Sequence, residues 1–254
     1  MTRPRILVTR AADQSAGLVA ALRHEGLEPV VVPAIAVEID PPGGPLDSAA
    51  RLLHTFDWVV ITSANGARAL LVAAERVFTA LGAPSLAAIG DATAAVLARE
   101  DVGVDFRPSR ADGITLAAEL PIRPGQEVLL LRGDLAAGEL PARLRDRSAM
   151  VTDVVAYRTI EGPPPARPIL RNATAAGLPQ AVLFASGSAA RGLVSLAEAE
   201  GLEVSSIPAI CIGPATAREA ERLGFRVLAT SPTPDDGSLA STAAGALLQP
   251  METR

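Results

Sequence analysis

The sequence contains no lysine: all 23 basic residues among its 254 are arginine. That excludes a Schiff-base lysine and the lysine of a phosphate-binding P-loop. A single cysteine, Cys211, leaves no disulfide possible within the chain. The two histidines, His24 and His54, sit in helical patterns, each without a histidine or cysteine at ligand spacing, so a metal site built on these residues is not expected. Aromatics make up 3% of the chain, and a core must therefore be assembled from Ala, Val, Leu and Ile. The formal charge of -5, with no block of basic residues, argues against a nucleic-acid surface. No window reads as a membrane span, since the longest uncharged stretch, Asn172 to Ala190, is broken by Gly177, Pro179 and Gln180. Met1-Thr2-Arg3-Pro4-Arg5 leads straight into a strand-like run without an apolar signal region, so a cytoplasmic location is expected.

What the chain does contain is apolar residues, 49% of the total, in alternating strand and helix patterns. Ile6 to Thr9 is a short β-branched run, and Ser15 to Glu25 has helical periodicity that Gly26 ends. Pro29 to Val32 is a second strand, followed by an extended piece from Ala34 to Asp40. Trp58 to Ile61 reads as a buried strand, Ala67 to Phe78 as a helix, Leu86 to Ile89 as a strand and Thr93 to Glu100 as a helix. Val128 to Leu131 opens another such unit. Strands alternating with helices of these lengths predict an α/β fold with parallel sheets.

An internal repeat organises the pattern. Trp58 to Arg68 aligns with Ala181 to Arg191, Phe184 standing 123 positions after Ile61. Ile89-Gly90-Asp91-Ala92-Thr93 aligns with Ile212-Gly213-Pro214-Ala215-Thr216 at the same spacing of 123. Ile6 to Arg10 aligns with Val128 to Arg132 at a spacing of 122. An internal tandem duplication is expected.

Each repeated segment is a strand, a turn of small polar residues, and a helix. Such turns lie at the carboxyl ends of strands, where α/β sheets bind ligands. Ser63, Asn65, Ser186 and Ser188 are favoured helix caps, and the bare N–H groups beside them suit an anion. The plain alternative is that they only cap helices. Four turns in two matched pairs suggest a ligand with several carboxylates or phosphates.

The ordered series is Val8-Thr9-Arg10, Trp58 to Gly66, Ile89-Gly90-Asp91-Ala92-Thr93, Leu131-Arg132-Gly133, Val155-Ala156-Tyr157-Arg158-Thr159, the Ser186-Gly187-Ser188 turn, and Ile212 to Thr216. In order, spacing and duplication it resembles the uroporphyrinogen-III synthase family over essentially the whole chain. The resemblance implies two flavodoxin-like parallel-sheet domains joined by a two-stranded β-ladder. One domain would combine residues 1–33 and 161–254, the other 46–152, with 34–45 and 153–160 as connecting strands. The repeated turns would face a cleft between the domains.

The family's reaction converts hydroxymethylbilane into uroporphyrinogen III and water, as a lyase of tetrapyrrole and haem biosynthesis. The terminal hydroxyl leaves, ring D attacks the resulting azafulvene through its substituted carbon, and a spiro intermediate reopens and recloses with ring D inverted. Unassisted closure gives the uninverted isomer, so geometry is what a protein must supply. The resemblance therefore implies no cofactor and no metal, a linear tetrapyrrole as the small-molecule partner, neither nucleic acid nor membrane, and a monomer. The substrate-binding residues implied are Arg10, Thr62, Ser63, Asn65, Gly90, Thr93, Arg132, Ser186, Gly187, Ser188, Gly213, Ala215 and Thr216.

Tyr157, the only tyrosine, is the candidate catalytic residue, as a proton or hydrogen-bond donor to the departing hydroxyl. Its alternative is an aromatic packing in a strand. Thr93 and Thr216 either bind carboxylates or cap helices. Arg10 and Arg132 either pair with substrate carboxylates or make structural ion pairs. Asp91 weakens the first Gly-x-x-Thr turn as an anion site, and Cys211 is expected to be a core thiol. The chain departs from the family pattern at Ala185 and Gly187, where a Thr before Ser186 and a Pro after it are usual, and at Ala136-Ala137-Gly138-Glu139, which lacks an arginine. Two other classes stay open. A catalytically silent regulatory relative is expected to append a DNA-binding module, for which the segment up to Arg254 leaves no room. A two-lobed binding protein is expected to carry an export signal.

Overall fold

The computed structural model describes residues 3–136 and 138–248. Met1, Thr2, Ala137 and residues 249–254 lie outside the described residues, and with them those parts of the expectations for the chain ends and for the 136–139 segment. The chain opens with β1 (Arg5–Val8), α1 (Ala16–His24), β2 (Glu28–Val31), β3 (Ile35–Ile39) and α2 (Pro45–Arg51). Then come β4 (Trp58–Ile61), α3 (Ala64–Arg76), β5 (Ser85–Ala88), α4 (Asp91–Ala98) and α5 (Gly113–Glu119). β6 (Glu127–Gly133), α6 (Glu139–Asp146), β7 (Met150–Glu161), α7 (Arg167–Ala175) and β8 (Ala181–Phe184) follow. The last elements are α8 (Gly187–Glu200), β9 (Ala209–Cys211), α9 (Pro214–Arg222), β10 (Val227–Thr230) and α10 (Asp236–Leu248).

Two compact units result. The first runs up to Ala36 and resumes at Ile160; the second is Val37–Thr159. The sheet of the first unit has the order β10-β9-β8-β1-β2, with every pairing parallel. Counted along that unit's own chain, this is the doubly wound order 2-1-3-4-5. The sheet of the second unit runs β3-β7-β6-β4-β5, parallel from β7 to β5. Beyond β5, Phe106 adds a parallel bridge to Ala87. At the other edge the Asp40 N–H donates to Ala156 O at 3.0 Å, and in the first unit the Gly162 N–H donates to Ala34 O at 2.8 Å.

Short apolar runs become central strands because helices cover both faces of a parallel sheet. In the first unit, Leu7, Val182, Phe184 and Cys211 pack against α7, α8 and α9, while Ile6, Val8, Leu183 and Ile210 pack against α1 and α10. In the second unit, Val59, Ile61, Leu129 and Leu131 face α2, α3 and α4, and Trp58, Val60, Val128 and Leu130 face α5 and α6. The period of two along each strand thus supplies two cores per unit. Four of the seven aromatics pair edge to face: Phe184 with Phe225 at 5.0 Å and Trp58 with Phe106 at 6.4 Å.

The structure moves some sequence-based boundaries. α3 and α4 begin at Ala64 and Asp91, earlier than apolar periodicity predicts, because Ser63 and Gly90 set their starts as N-caps. α3 ends at Arg76, and Phe78 turns the chain with φ 52°. β7 runs unbroken through Thr152 and Asp153, and its first half is paired with β6, Glu127 opposite Met150. Among the described residues no helix is long and apolar enough to cross a membrane.

Cys211 is fully buried in β9, and burial pushes its thiol up to about 12. At pH 8 about one thiol in 10⁴ would be ionised by that value. Native protein should therefore leave Cys211 unlabelled by a thiol-specific disulfide reagent at pH 8, with one equivalent reacting in denaturant. Rapid labelling of the native protein would contradict this packing.

Candidate functional site

In the second unit, β4 is buried along its whole length and delivers the chain to a turn at its carboxyl end. The Thr62 N–H and hydroxyl both donate to Leu131 O, at 3.2 and 3.1 Å, tying the turn to β6. Ser63 is extended, with φ -162°, and its Oγ accepts the Gly66 N–H at 3.0 Å as the N-cap of α3. The same Oγ lies 3.0 Å from the Tyr157 hydroxyl, which reaches it from β7 across 94 positions of sequence. Tyr157 is half-buried, its ring packed on the core beneath α3. The Arg68 guanidinium folds back and donates to Asn65 Oδ1 at 2.9 Å.

The second turn of this unit follows β5. Gly90 is extended and caps α4; the Thr93 N–H donates to Gly90 O at 3.1 Å, and the Thr93 side chain is buried. Asp91 pairs with Arg107 at 2.5 Å, both side chains exposed. Gly90, Asp91 and Arg107 line an open cleft of about 590 Å³, together with Phe106, Ser109 and Ala111. Arg107 balances the carboxylate that counted against this turn as an anion site.

The turns of the first unit have the same frame with different partners. Ser186, φ -167°, caps α8 by accepting the Ala189 N–H at 3.2 Å, and its Oγ lies 2.9 Å from the Ser188 hydroxyl. Gly187 lies close to Glu219: a Cβ at position 187 would come within 3.0 Å of its Cγ. After β9, Gly213 caps α9 with Pro214 in the first turn, where Ala215 is exposed and Thr216 buried. Arg191, at the position matching Arg68, grips Glu161 through Nε and Nη2, at 3.0 and 2.6 Å, and Glu219 through Nη1 at 2.8 Å. Arg222 and Arg191 together hold the Glu219 carboxyl down at about 2, and the two carboxylates raise Arg191 in turn.

The structure gives both strand-end arginines a carboxylate within the protein. Arg10 Nη1 meets Asp236 at 2.7 Å, and Arg132 meets Asp153 through Nε and Nη2 at 2.7 and 3.1 Å. Ser63 and Tyr157 are brought together, with Asn65 bonded to Arg68 in the same turn; Ser186, Gly187 and Ser188 form their own group with Glu219 and Arg191. Among the described residues, no three His, Cys, Asp or Glu side chains cluster as a metal site.

The family profile described as Uroporphyrinogen-III synthase HemD matches residues 16–241. The chain belongs to the uroporphyrinogen-III synthase family. It is 33% identical over 162 residues to a uroporphyrinogen-III synthase of Synechococcus elongatus, covering 61% of this chain and 60% of that one. It is 28% identical over 227 residues to a porphyrin biosynthesis protein HemD of Ruminiclostridium josui, covering 87% of this chain and 44% of that one. The chain therefore spans about half the length of these two relatives. A chloroplastic uroporphyrinogen-III synthase of rice is 30% identical over 241 residues, covering 91% of this chain and 76% of that one. The fold is similar to that of a mutant uroporphyrinogen III synthase from Thermus thermophilus, with TM-score 0.62 and 19% identity over 96% of this chain and 99% of that one. It is equally similar to a synthetase from Helicobacter pylori, with TM-score 0.62 and 14% identity over the same shares of the two chains.

Two features of this member of the uroporphyrinogen-III synthase family escaped the sequence reading. Arg107 follows a single bridging residue rather than a strand, so no apolar run announced it. Asp112 and Asp235 cap α5 and α10, accepting the N–H groups of Thr115 and Ser238 at 2.7 and 2.8 Å. They stand 123 positions apart, so extending the repeat to the chain's last helix would have found them.

The Glu219 group yields a pH prediction. A carboxyl lowered on folding, here from 4.5 to about 2, adds stability above its unfolded value and loses it as pH falls through the folded one. The contribution is modest because Arg222 is exposed. Glu219→Gln should lower the melting temperature at pH 7, and the gap from the parent should close between about pH 5 and pH 2. A gap independent of pH would show that the carboxylate's charge is not what matters.

Proposed function

We propose that this chain is a uroporphyrinogen-III synthase, closing hydroxymethylbilane to uroporphyrinogen III with inversion of ring D and release of water. The observation that carries the reading is the family match across residues 16–241. The four strand-end turns, two capped by Ser63 and Ser186 and two by Gly90 and Gly213, support it. The turn residues Thr62, Ser63, Asn65, Gly90, Thr93, Ser186, Gly187, Ser188, Gly213, Ala215 and Thr216 are the proposed carboxylate contacts. Arg10 and Arg132 bind substrate only by sharing or exchanging Asp236 and Asp153. The enzyme works without a cofactor, as a cytoplasmic monomer.

We also infer a duplicated chain with two flavodoxin-like domains, 1–33 with 161–254 and 46–152, joined by ladder strands at 34–45 and 153–160. The spacing of 123 places β8 and β9 where β4 and β5 lie in the other sheet, and Ala229 of β10 where Phe106 bridges.

Tyr157 is the proposed donor to the departing hydroxyl. Ser63 Oγ already accepts the Gly66 N–H, so its own proton is free to go to Tyr157 Oη. In that arrangement the phenol keeps its own O–H for the leaving oxygen. The hydroxyl departs with this assistance as water, ring D attacks the azafulvene, and the proton lost from ring D on closure restores the balance. The leaving group is reactive in itself, so orientation of the chain ends does most of the work.

A coupled assay with freshly made hydroxymethylbilane should give mainly the type III isomer, unchanged after EDTA and dialysis. The spontaneous type I product, from folded protein, would overturn the reading. Tyr157→Phe should slow turnover by about 10²-fold or less, since a positioned general acid contributes roughly 10²–10⁴-fold. Its stability cost should be about 1 kcal/mol or less. Unchanged turnover would reduce Tyr157 to packing.

A further inference from the structure

We propose that Gly133 is a positioning residue: the side chain it lacks is the space in which the Tyr157 ring lies to reach Ser63. The inference rests on the proposed cyclisation and on the part of Tyr157 in it.

Gly133 ends β6 and is buried. Its backbone does not call for glycine, because Gly133 is not among the residues with positive φ. The requirement is space. A Cβ at 133 would lie 2.6 Å from Tyr157 Cζ, 2.7 Å from Oη and 3.0 Å from Cε2. The nearest atoms all belong to this one ring. The register explains the approach: β6 and β7 pair residue for residue up to Arg132 and Val155, then shift so that Gly133 faces Tyr157. An extra residue in one strand re-aims the side chains that follow it. Here it turns the phenol across the end of β6, toward the Ser63 cap on neighbouring β4.

The matched positions of the first unit make the reciprocal choice. A spacing of 122 carries Gly133 back to Ala11 and Tyr157 back to Ile35. There a methyl group stands with a shorter side chain, and both are packed, Ala11 with 2% exposure and Ile35 against the core. The position before each keeps its residue, Arg132 matching Arg10 and Ala156 matching Ala34, while those after differ, Asp134 against Ala12 and Arg158 against Ala36. Glycine and phenol thus occur together in one unit, and alanine and isoleucine together in the other. A glycine kept only for close strand packing would have no reason to track the tyrosine.

The clash set up by Gly133→Ala involves the far end of a side chain, so the ring yields rather than the backbone. The fold should survive and the phenol should leave Ser63. Shifts of this size matter because a proton donor acts only within hydrogen-bond reach.

The test compares Gly133→Ala, Tyr157→Phe, their double variant, and Gly133→Ala/Tyr157→Ile, which copies the first unit's pair. Selective labelling of tyrosine gives one ring signal, because Tyr157 is the only tyrosine. Gly133→Ala should shift that signal and lower kcat about as far as Tyr157→Phe does, with KM changed much less. Adding Gly133→Ala to Tyr157→Phe should cost no more than about a further twofold, the signature of residues acting through one group. Gly133→Ala/Tyr157→Ile should regain melting temperature lost in Gly133→Ala but not turnover. The proposal is overturned by an unmoved ring signal, by losses that multiply in the double variant with phenylalanine, or by a failure of the Ala/Ile pair to fold. A parent protein that makes no type III isomer would defeat the proposed function instead, and the ring signal and melting temperatures would still decide whether Gly133 positions Tyr157.

Discussion

The pairing of Ile6–Val8 with Ala181–Leu183 is the contact on which the first unit depends. It joins segments far apart in sequence: the Thr9 hydroxyl seals it by donating to Leu183 O at 2.6 Å, 174 positions away. Closing so long a loop costs conformational entropy, though the cost grows only slowly with length. Burial of β1 and β8 between two helical layers offsets it. A slip of one residue would turn every core side chain of these strands to the opposite face, so the register is firmly set. In the second unit, Trp58–Ile61 against Val128–Leu131 has the same place, with Thr62 as its seal. The Ser63 and Ser186 turns leave the ends of these central strands, so their geometry is inherited from the pairing.

On this common platform the two units differ in chemistry. The Ser63 turn holds a phenol and an arginine that rests on an amide oxygen. The Ser186 turn holds a second serine, and its matching arginine is bound by two carboxylates. One turn therefore presents a phenol hydroxyl, while the arginine of the other is held by two carboxylates. The two units differ at the positions around these turns: Tyr157 meets Ser63 in one, and Ser188 and Glu219 surround Ser186 and Arg191 in the other.

Central strands were legible because a run such as Val128–Leu131 buries on both faces and needs no knowledge of its partner. Helix starts were less so: in α3 the capping turn, not the apolar face, sets the first residue. The serine turns could be read from the repeat, but the Ser63–Tyr157 contact could not, because it depends on a register shift between β6 and β7. The same limit applies to Arg10, whose partner Asp236 lies 226 positions away. The Arg132–Asp153 pair spans 21 positions and required only that β6 and β7 be recognised as neighbours, which the expected domain boundary at 152/153 obscured.

That the first unit is assembled from two distant segments is tested most directly by fragment complementation. Residues 160–254 would be produced alone and then mixed with a peptide of residues 1–36, with amide exchange followed at Val182 and Leu183. The fragment alone should be largely unfolded, and the peptide should restore cooperative melting and slow exchange at both amides. Native-like protection of Val182 and Leu183 without the peptide would contradict the dependence of this unit on β1.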